Sequence, residues 1–225
     1  MKSKFTINNS PVYINDNLTA KMEGVPTIST SPLENPHCQK RVAETTARGI
    51  DCVCRECFSI KTNRRYKALD KHMRENTVLL SGSVLPLEDL PIFGNVRFVR
   101  FEAFGDLVND THLLNFLNIA RVNPFVTFTL FTKNAFILHH VFKGLGIEKP
   151  SNLIIIFSSP RLNVAMLNAL DYPYIDKIFT VYTPDFLEFW GYDESNFINC
   201  GSRSCVACGR CYRKDSEAVI SERLK

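Results

Sequence analysis

The chain has 225 residues, 45% hydrophobic and 22% charged, with a net charge of +4 and eight cysteines. That length buries a real core, and so mild a charge permits an anionic partner without demanding one. The opening MKSKFTINNSP lacks an apolar leader segment and no apolar run reaches the ~18 residues of a membrane span, so a cytoplasmic protein without a membrane partner is expected.

Residues 1–37 carry Pro, Ser and Asn without apolar periodicity and read as an irregular arm with one short strand at Val12–Ile14. Residues 38–60 place Cys38, Cys52, Cys54 and Cys57 on loops. NRRYKALDKHMREN reads as a helix from Asn63, its cap, to Asn76, with Tyr66, Leu69 and Met73 as its apolar stripe. TVLLSG at 77–82 reads as an additional strand. Strands are then predicted at 96–105, 125–132, 153–159 and 178–183, and helices at Asp106–Ile119, Asn134–Leu145 and 162–170. Alternation at this period implies right-handed βαβ units and a parallel sheet. Four or five units fall short of eight, so the expected fold class is α/β, an open, partial βα barrel. It divides into an arm with the first cysteine group (1–62), a core (63–190) and a C-terminal cysteine-rich metal-binding segment (191–225). Phe98, Val99, Ile155 and Val181 are expected in the core.

Parallel sheets place their sites at the carboxyl ends of strands. The polar residues there are Glu102 and Asp106, then Lys133 and Asn134, then Ser158 and Ser159; Asp106 and Asn134 read equally well as plain helix caps. Residues 55–74 hold seven Lys and Arg against Glu56 and Asp70, a helix able to track phosphates or simply a solvated face. Arg203, Arg210, Arg213 and Lys214 surround the second cysteine group and would offset thiolate charge. His139 and His140 read as packing or surface residues.

The cysteines form two groups with none between 57 and 200: Cys38 with Cys52-x-Cys54-x2-Cys57, and Cys200-x4-Cys205-x2-Cys208-x2-Cys211. Thiols this close cannot all pair as disulfides, which need Cα atoms about 4.4–6.8 Å apart with opposed Cβ vectors. They can all face one metal centre. The second spacing combines steps found in ferredoxins, which favours a [4Fe–4S] cluster, with zinc as the alternative metal. In the first group Cys38, Cys54 and Cys57 are the expected ligands. Cys52, one residue from Cys54, would face away in an extended backbone, and whether it is a ligand stays open, as does the number of clusters.

HC at 37–38, CRECF and the basic helix after it, REN at 74–76, RFEAFGD at 100–106, NPFVTFTLFTKN at 123–134, NLIIIFSS at 152–159, FTVY at 179–182 and NCGSRSCVACGRCY at 199–212 form one set of motifs. In that set the sequence resembles the phage gene-product-88 family. It is also distantly similar to radical S-adenosylmethionine enzymes, in the order cysteine loop, helix, βα series. That similarity implies a partial barrel, a [4Fe–4S] cluster with one iron open to S-adenosylmethionine, and an auxiliary cluster on Cys200, Cys205, Cys208 and Cys211. Glu102, Asp106, Lys133, Asn134 and Ser158 would then bind cofactor or substrate, the substrate being a nucleic acid or peptide. The chain departs from the usual C-x3-C-x2-C, because Ile50 stands where the first cysteine would be. The alternative is a non-catalytic, cluster-bearing protein that contacts nucleic acid or a host protein.

Overall fold

Six parallel strands stand side by side in the order in which the chain makes them: β1 (Thr27–Ile28), β2 (Phe98–Phe101), β3 (Thr127–Thr132), β4 (Leu153–Ser158), β5 (Lys177–Tyr182) and β6 (Val219–Arg223). A computed structural model describes residues 3–224, apart from the side chain of Ser195. Strand order that never reverses, with right-handed crossovers, places successive connections on one face of the sheet; the connection from β5 to β6 does not keep to it, and the helices between β1 and β4 do. On that face Val99, Phe101, Phe128, Leu130 and Ile155 pack against α3 (Lys67–Gly82), α4 (Asp110–Val122) and α5 (Ala135–His139). The centre is aromatic: Phe101 stacks between Phe116, at 4.1 Å, and Phe128, at 4.9 Å. Fully burying such a side chain contributes about 1.5–3 kcal/mol.

The opposite face carries Phe98, Arg100, Thr129, Phe131, Ile154, Ile156 and Ile220, and the C-terminal cysteine segment lies over it. The sheet's two end strands come from the segments that the sequence sets apart as flanking. β1 is two residues in the arm, and β6 follows the second cysteine group.

Strands β2 to β5 are consecutive, parallel and placed as the alternation predicts, though β2 is shorter, and Val181 is half-buried. Elsewhere the sequence reading needs correction. Residues 77–82 are not a strand but the end of α3, where the Thr77 hydroxyl bonds the Met73 carbonyl at 2.8 Å and Leu80 is fully buried. The predicted helix 63–76 is two: α2 (Phe58–Arg65) and α3, parted at Tyr66, whose ψ of 84° is not helical. Asn63 is therefore no cap; it is buried and donates to Asp70 at 3.1 Å. The stretch 38–60 is not all loop, because α1 (Pro36–Ala47) runs into it as far as Ala47. Its cap is Asn35, which accepts from the His37 amide at 2.9 Å, and Pro36 suits a first helical position, whose amide has no partner anyway. Val12 and Ile14 are buried without forming a strand. Residues 162–170 hold only a 3-10 turn, Leu167–Asp171.

No helix among the described residues is long and apolar enough to cross a membrane.

Candidate functional site

At the carboxyl ends of β1, β2 and β3 the chain builds a buried polar cluster. Glu102 sits in the left-handed region at φ +55° and is 2% exposed. Its carboxyl accepts from the Thr30 amide at 3.3 Å and the Thr30 hydroxyl at 2.9 Å. The tight loop requires Gly105, since a Cβ there would lie 2.3 Å from Glu102 Oε2 and 2.4 Å from the Thr30 carbonyl. Burial raises the Glu102 pKa to about 8. Burial also lowers that of the fully buried His112, to about 3. His112 Nδ1 accepts from the Val108 amide at 3.3 Å, leaving the proton on Nε2. That nitrogen lies 3.3 Å from Glu102 Oε1 but is not aligned for a hydrogen bond and has no partner, so the contact is proximity rather than a bond.

Asp106 ties the neighbouring loops together. Oδ1 accepts from the Leu107 amide at 2.8 Å and from Thr132 Oγ1, and Oδ2 from the Lys133 amide at 2.9 Å. Asn134 is buried and its backbone amide donates to Thr132 Oγ1 at 2.9 Å. Glu102 and Asp106 are thus committed to internal hydrogen bonds. Lys133 Nζ, among the described residues, makes none.

The first cysteine group stands over this cluster. Cys38 is in the first turn of α1, whose cap Asn35 donates to the Asp106 carbonyl at 2.7 Å. The Cys52–Cys57 loop is clipped to the segment after β4: the Val53 amide bonds the Pro160 carbonyl at 3.0 Å, and Leu162 bonds Asp51 at 3.2 Å. Cys38, Cys54 and Cys57 all lie where Lys133 feels their charge. Cys52 does not turn away from Cys54. Successive turns, Arg55 amide to Cys52 carbonyl and Cys57 amide to Cys54 carbonyl, replace the extended backbone that alternation presumes. The Cys54 amide lies 3.4 Å from Cys52 Sγ, and the two thiols are hydrogen-bonded, with Cys54 as donor. That bond holds Cys54 protonated and pulls Cys52 below the usual thiol range, and burial pushes Cys38 well above it.

The second group is assembled from three parts of the chain. Cys205 and Cys208 bound the short α8 (Cys205–Cys208), capped by Ser204 and ended by Gly209 at φ +61°, a conformation that favours glycine. Cys200 hangs on β6 through its amide, 2.9 Å from the Ser221 carbonyl. Tyr212 stacks on Phe98 at 4.3 Å and anchors Cys211 against the sheet. The arm closes the far side, with Lys21 Nζ 3.8 Å from Cys200 Sγ and Met22 Sδ 3.6 Å from Cys205 Sγ. Cys200, Cys205, Cys208 and Cys211 line one cavity of about 30 Å³ with Lys21 and Arg210 at its rim. Burial raises Cys200, Cys205 and Cys211, the last to about 12. Among the described residues no group of three or more His, Cys, Asp or Glu side chains is placed to hold a metal ion.

A family model described as gene product 88 matches residues 17–214. The chain belongs to the gene product 88 family. The family match takes in both cysteine groups and β1 to β5, and stops short of β6. Comparison with curated proteins and with solved structures gave no match.

Sequence reasoning missed several members of these clusters in this gene product 88 chain: Thr30, His112, Lys21, Met22 and Arg100. Only Arg100 left a signal, as a charged position in the otherwise apolar strand FVRF. The basic stretch 55–74 is partly neutralised, since Lys61 pairs with Glu56, Lys71 with Glu75, and Arg74 with Asp70 and Glu34. His140 pairs with Asp110 at 2.6 Å, and His139 bonds the Tyr174 hydroxyl at 3.1 Å.

Proposed function

We propose that the protein is an iron–sulfur protein with two centres, resembling radical S-adenosylmethionine enzymes and acting on a nucleic acid or peptide. In this reading the sheet is the wall of an open, partial barrel. Cys38, Cys54 and Cys57 stand at its mouth, and Cys200, Cys205, Cys208 and Cys211 hold an auxiliary cluster on its inner face. The observation that carries the reading is the convergence of four cysteines, spread over twelve residues and backed by the arm, on one cavity beside cationic side chains.

Four thiols are soft donors that suit either iron or zinc, and it is the cysteine spacing that favours a cluster. Zinc holds each thiolate sulfur at about 2.3 Å, which would draw the four sulfurs almost into contact, whereas an iron–sulfur cube spreads its ligands over its corners. The thiols here share a cavity of about 30 Å³, room for little more than one water, and among the described residues no three of them are placed to hold a metal ion, so taking up either centre requires the cysteine loops to rearrange. A [4Fe–4S] cluster bound by the first group would supply one electron. There the Lys133 ammonium would offset thiolate charge, and Lys133 and Ser158, with Asn134 beside them, are the mouth residues left to contact S-adenosylmethionine or substrate.

One observation favours the second reading, a non-catalytic protein whose centres are structural. Glu102 and Asp106, the carboxylates expected to bind S-adenosylmethionine, are occupied by Thr30, Thr132 and the loop amides. Anaerobic reconstitution separates the two. The catalytic reading expects a paramagnetic spectrum of the reduced protein that changes on adding S-adenosylmethionine and loses that response in Cys54→Ser. A spectrum indifferent to S-adenosylmethionine supports the structural reading.

A further inference from the structure

Two short helices follow β5, α6 (Pro184–Phe189) and α7 (Glu194–Phe197), with a turn at Gly191 between them. Leu187 is buried and anchors α6. The aromatic side chains beside it face solvent: Phe189 is 80% exposed, Trp190 60% and Tyr192 45%. They are not scattered. Trp190 meets Phe189 edge-on at 5.3 Å, Tyr192 stacks on Phe197 at 4.5 Å, and Phe186 lies 6.3 Å from both Trp190 and Tyr192. Phe197 in turn rests against the buried Tyr182 at the end of β5. The rings form one continuous patch rooted in the sheet. Single exposed apolar side chains, such as Phe125 before β3, need no explanation, whereas a joined patch marks an interaction site. Trp and Tyr are also the residues that carry most binding energy at protein interfaces.

The charge around the patch has one sign. Residues 178–202 contain four carboxylates, Asp185, Glu188, Asp193 and Glu194, and no Lys, Arg or His, in a chain whose net charge is +4. Glu194 is taken up by Arg223, at 3.1 Å. Asp185 and Glu188 are exposed, one turn apart on α6, and make no ion pair among the described residues. A phosphate backbone or an anionic lipid surface would be repelled here. A cationic side chain would be attracted twice, by the carboxylates and by ring faces it can lie against.

The patch is also tied to the mouth of the sheet. The Asn163 side chain accepts from the amide of Thr183, the cap of α6, at 2.7 Å. The same short segment, 160–163, holds the Cys52–Cys57 loop through Pro160 and Leu162. A polypeptide seated on the rings would lie one hydrogen-bonded segment away from the first cysteine group.

We propose that α6 and the turn after it form a docking surface for a basic polypeptide, whose Arg or Lys side chains meet Asp185 and Glu188 while its apolar side chains cover Phe189, Trp190 and Tyr192. This rests on the peptide arm of the reading above and selects a basic peptide over a nucleic acid for this face.

Trp190 is the only tryptophan in the chain, so its emission reports on this surface alone. The test titrates the full-length protein with a peptide of alternating Arg and Leu, which has no aromatic residue of its own. The matching Glu–Leu peptide and oligothymidylate are the controls. The Arg–Leu peptide is expected to shift Trp190 emission saturably to shorter wavelength, with an affinity that falls as salt rises, and the controls to leave it unchanged. Asp185→Asn combined with Glu188→Gln should weaken binding about tenfold, and Phe189→Ala by about the same factor. An equal response to the Glu–Leu peptide, a response to oligothymidylate, or an affinity unchanged in either variant overturns the inference. So does a shift that grows with protein concentration in the absence of peptide, which assigns the surface to a second copy of this chain. Iron and sulfide are counted in the same samples after anaerobic reconstitution. A chain that carries both and ignores the Arg–Leu peptide overturns the docking surface and leaves the iron–sulfur reading standing. Peptide binding by a chain that takes up neither supports the surface and removes that reading.

Discussion

The stability of the folded protein should depend on pH through two buried groups whose effects oppose each other. Glu102 is raised from 4.5 to about 8, so the folded state holds its proton longer than the unfolded chain does. Its contribution is fully present below pH 4.5 and is lost as pH rises towards 8. His112 is lowered from 6.5 to about 3, so its contribution is present above 6.5 and is lost as pH falls towards 3. Each proton contributes about 1.4 kcal/mol per pH unit. The two slopes cancel between 4.5 and 6.5, leaving a plateau with a fall on either side. The alkaline loss from Glu102 alone is on the order of 5 kcal/mol. Glu102→Gln removes that limb. The variant costs about 1 kcal/mol at pH 5, where its amide nitrogen meets the Thr30 amide, and becomes the more stable protein by pH 9. Chemical denaturation of both proteins at matched metal content, from pH 4 to pH 9, reads the crossing directly. A glutamine variant that keeps the wild-type fall above pH 6.5 would refute the assignment of that limb to Glu102.

Further outcomes follow from single contacts. Gly105→Ala places a methyl against the Thr30 carbonyl and Glu102 carboxyl, and should lower stability by about 2 kcal/mol or more in thermal or urea unfolding. Phe116→Ala should cost about 3–5 kcal/mol, because the ring is fully buried and stacked on Phe101. Lys177 is wholly buried, and its Nζ donates to the Ser216 carbonyl, the Ser216 hydroxyl and the Glu217 carbonyl at 2.9–3.1 Å. Lys177→Met should therefore loosen the segment 213–218, read as faster amide exchange there, with little change in α4. Cys205→Ser should lower both metal content and melting temperature, since binding free energy of a centre is also folding free energy.

The middle of the fold is legible in the sequence because β2 to β5 are buried on both faces and read as Phe, Ile and Val runs. The ends are not. β1 is two residues long, and VISER in β6 alternates like a solvent-washed strand although Ile220 and Ser221 are buried. The Asn-Pro that starts α1 looks like a turn until its side-chain cap is seen. The cysteine grouping is legible from spacing, but the placement of the second group on the face of the sheet opposite α3 and α4 is not, because that depends on Tyr212 finding Phe98 across more than a hundred residues. Glu102 was identifiable as a strand-end carboxyl. Its partners Thr30 and His112 were not, since burial of a polar side chain by distant elements leaves no local pattern.

The central claim is that the two cysteine groups hold iron–sulfur centres. Counting iron and acid-labile sulfide per chain after anaerobic reconstitution, in the wild type and in Cys211→Ser, tests it most directly. The account predicts iron and sulfide in equal amounts, with about half of both lost in the Cys211 variant if both groups are filled. Stoichiometric zinc without sulfide, or iron content untouched by the Cys211 substitution, would contradict it.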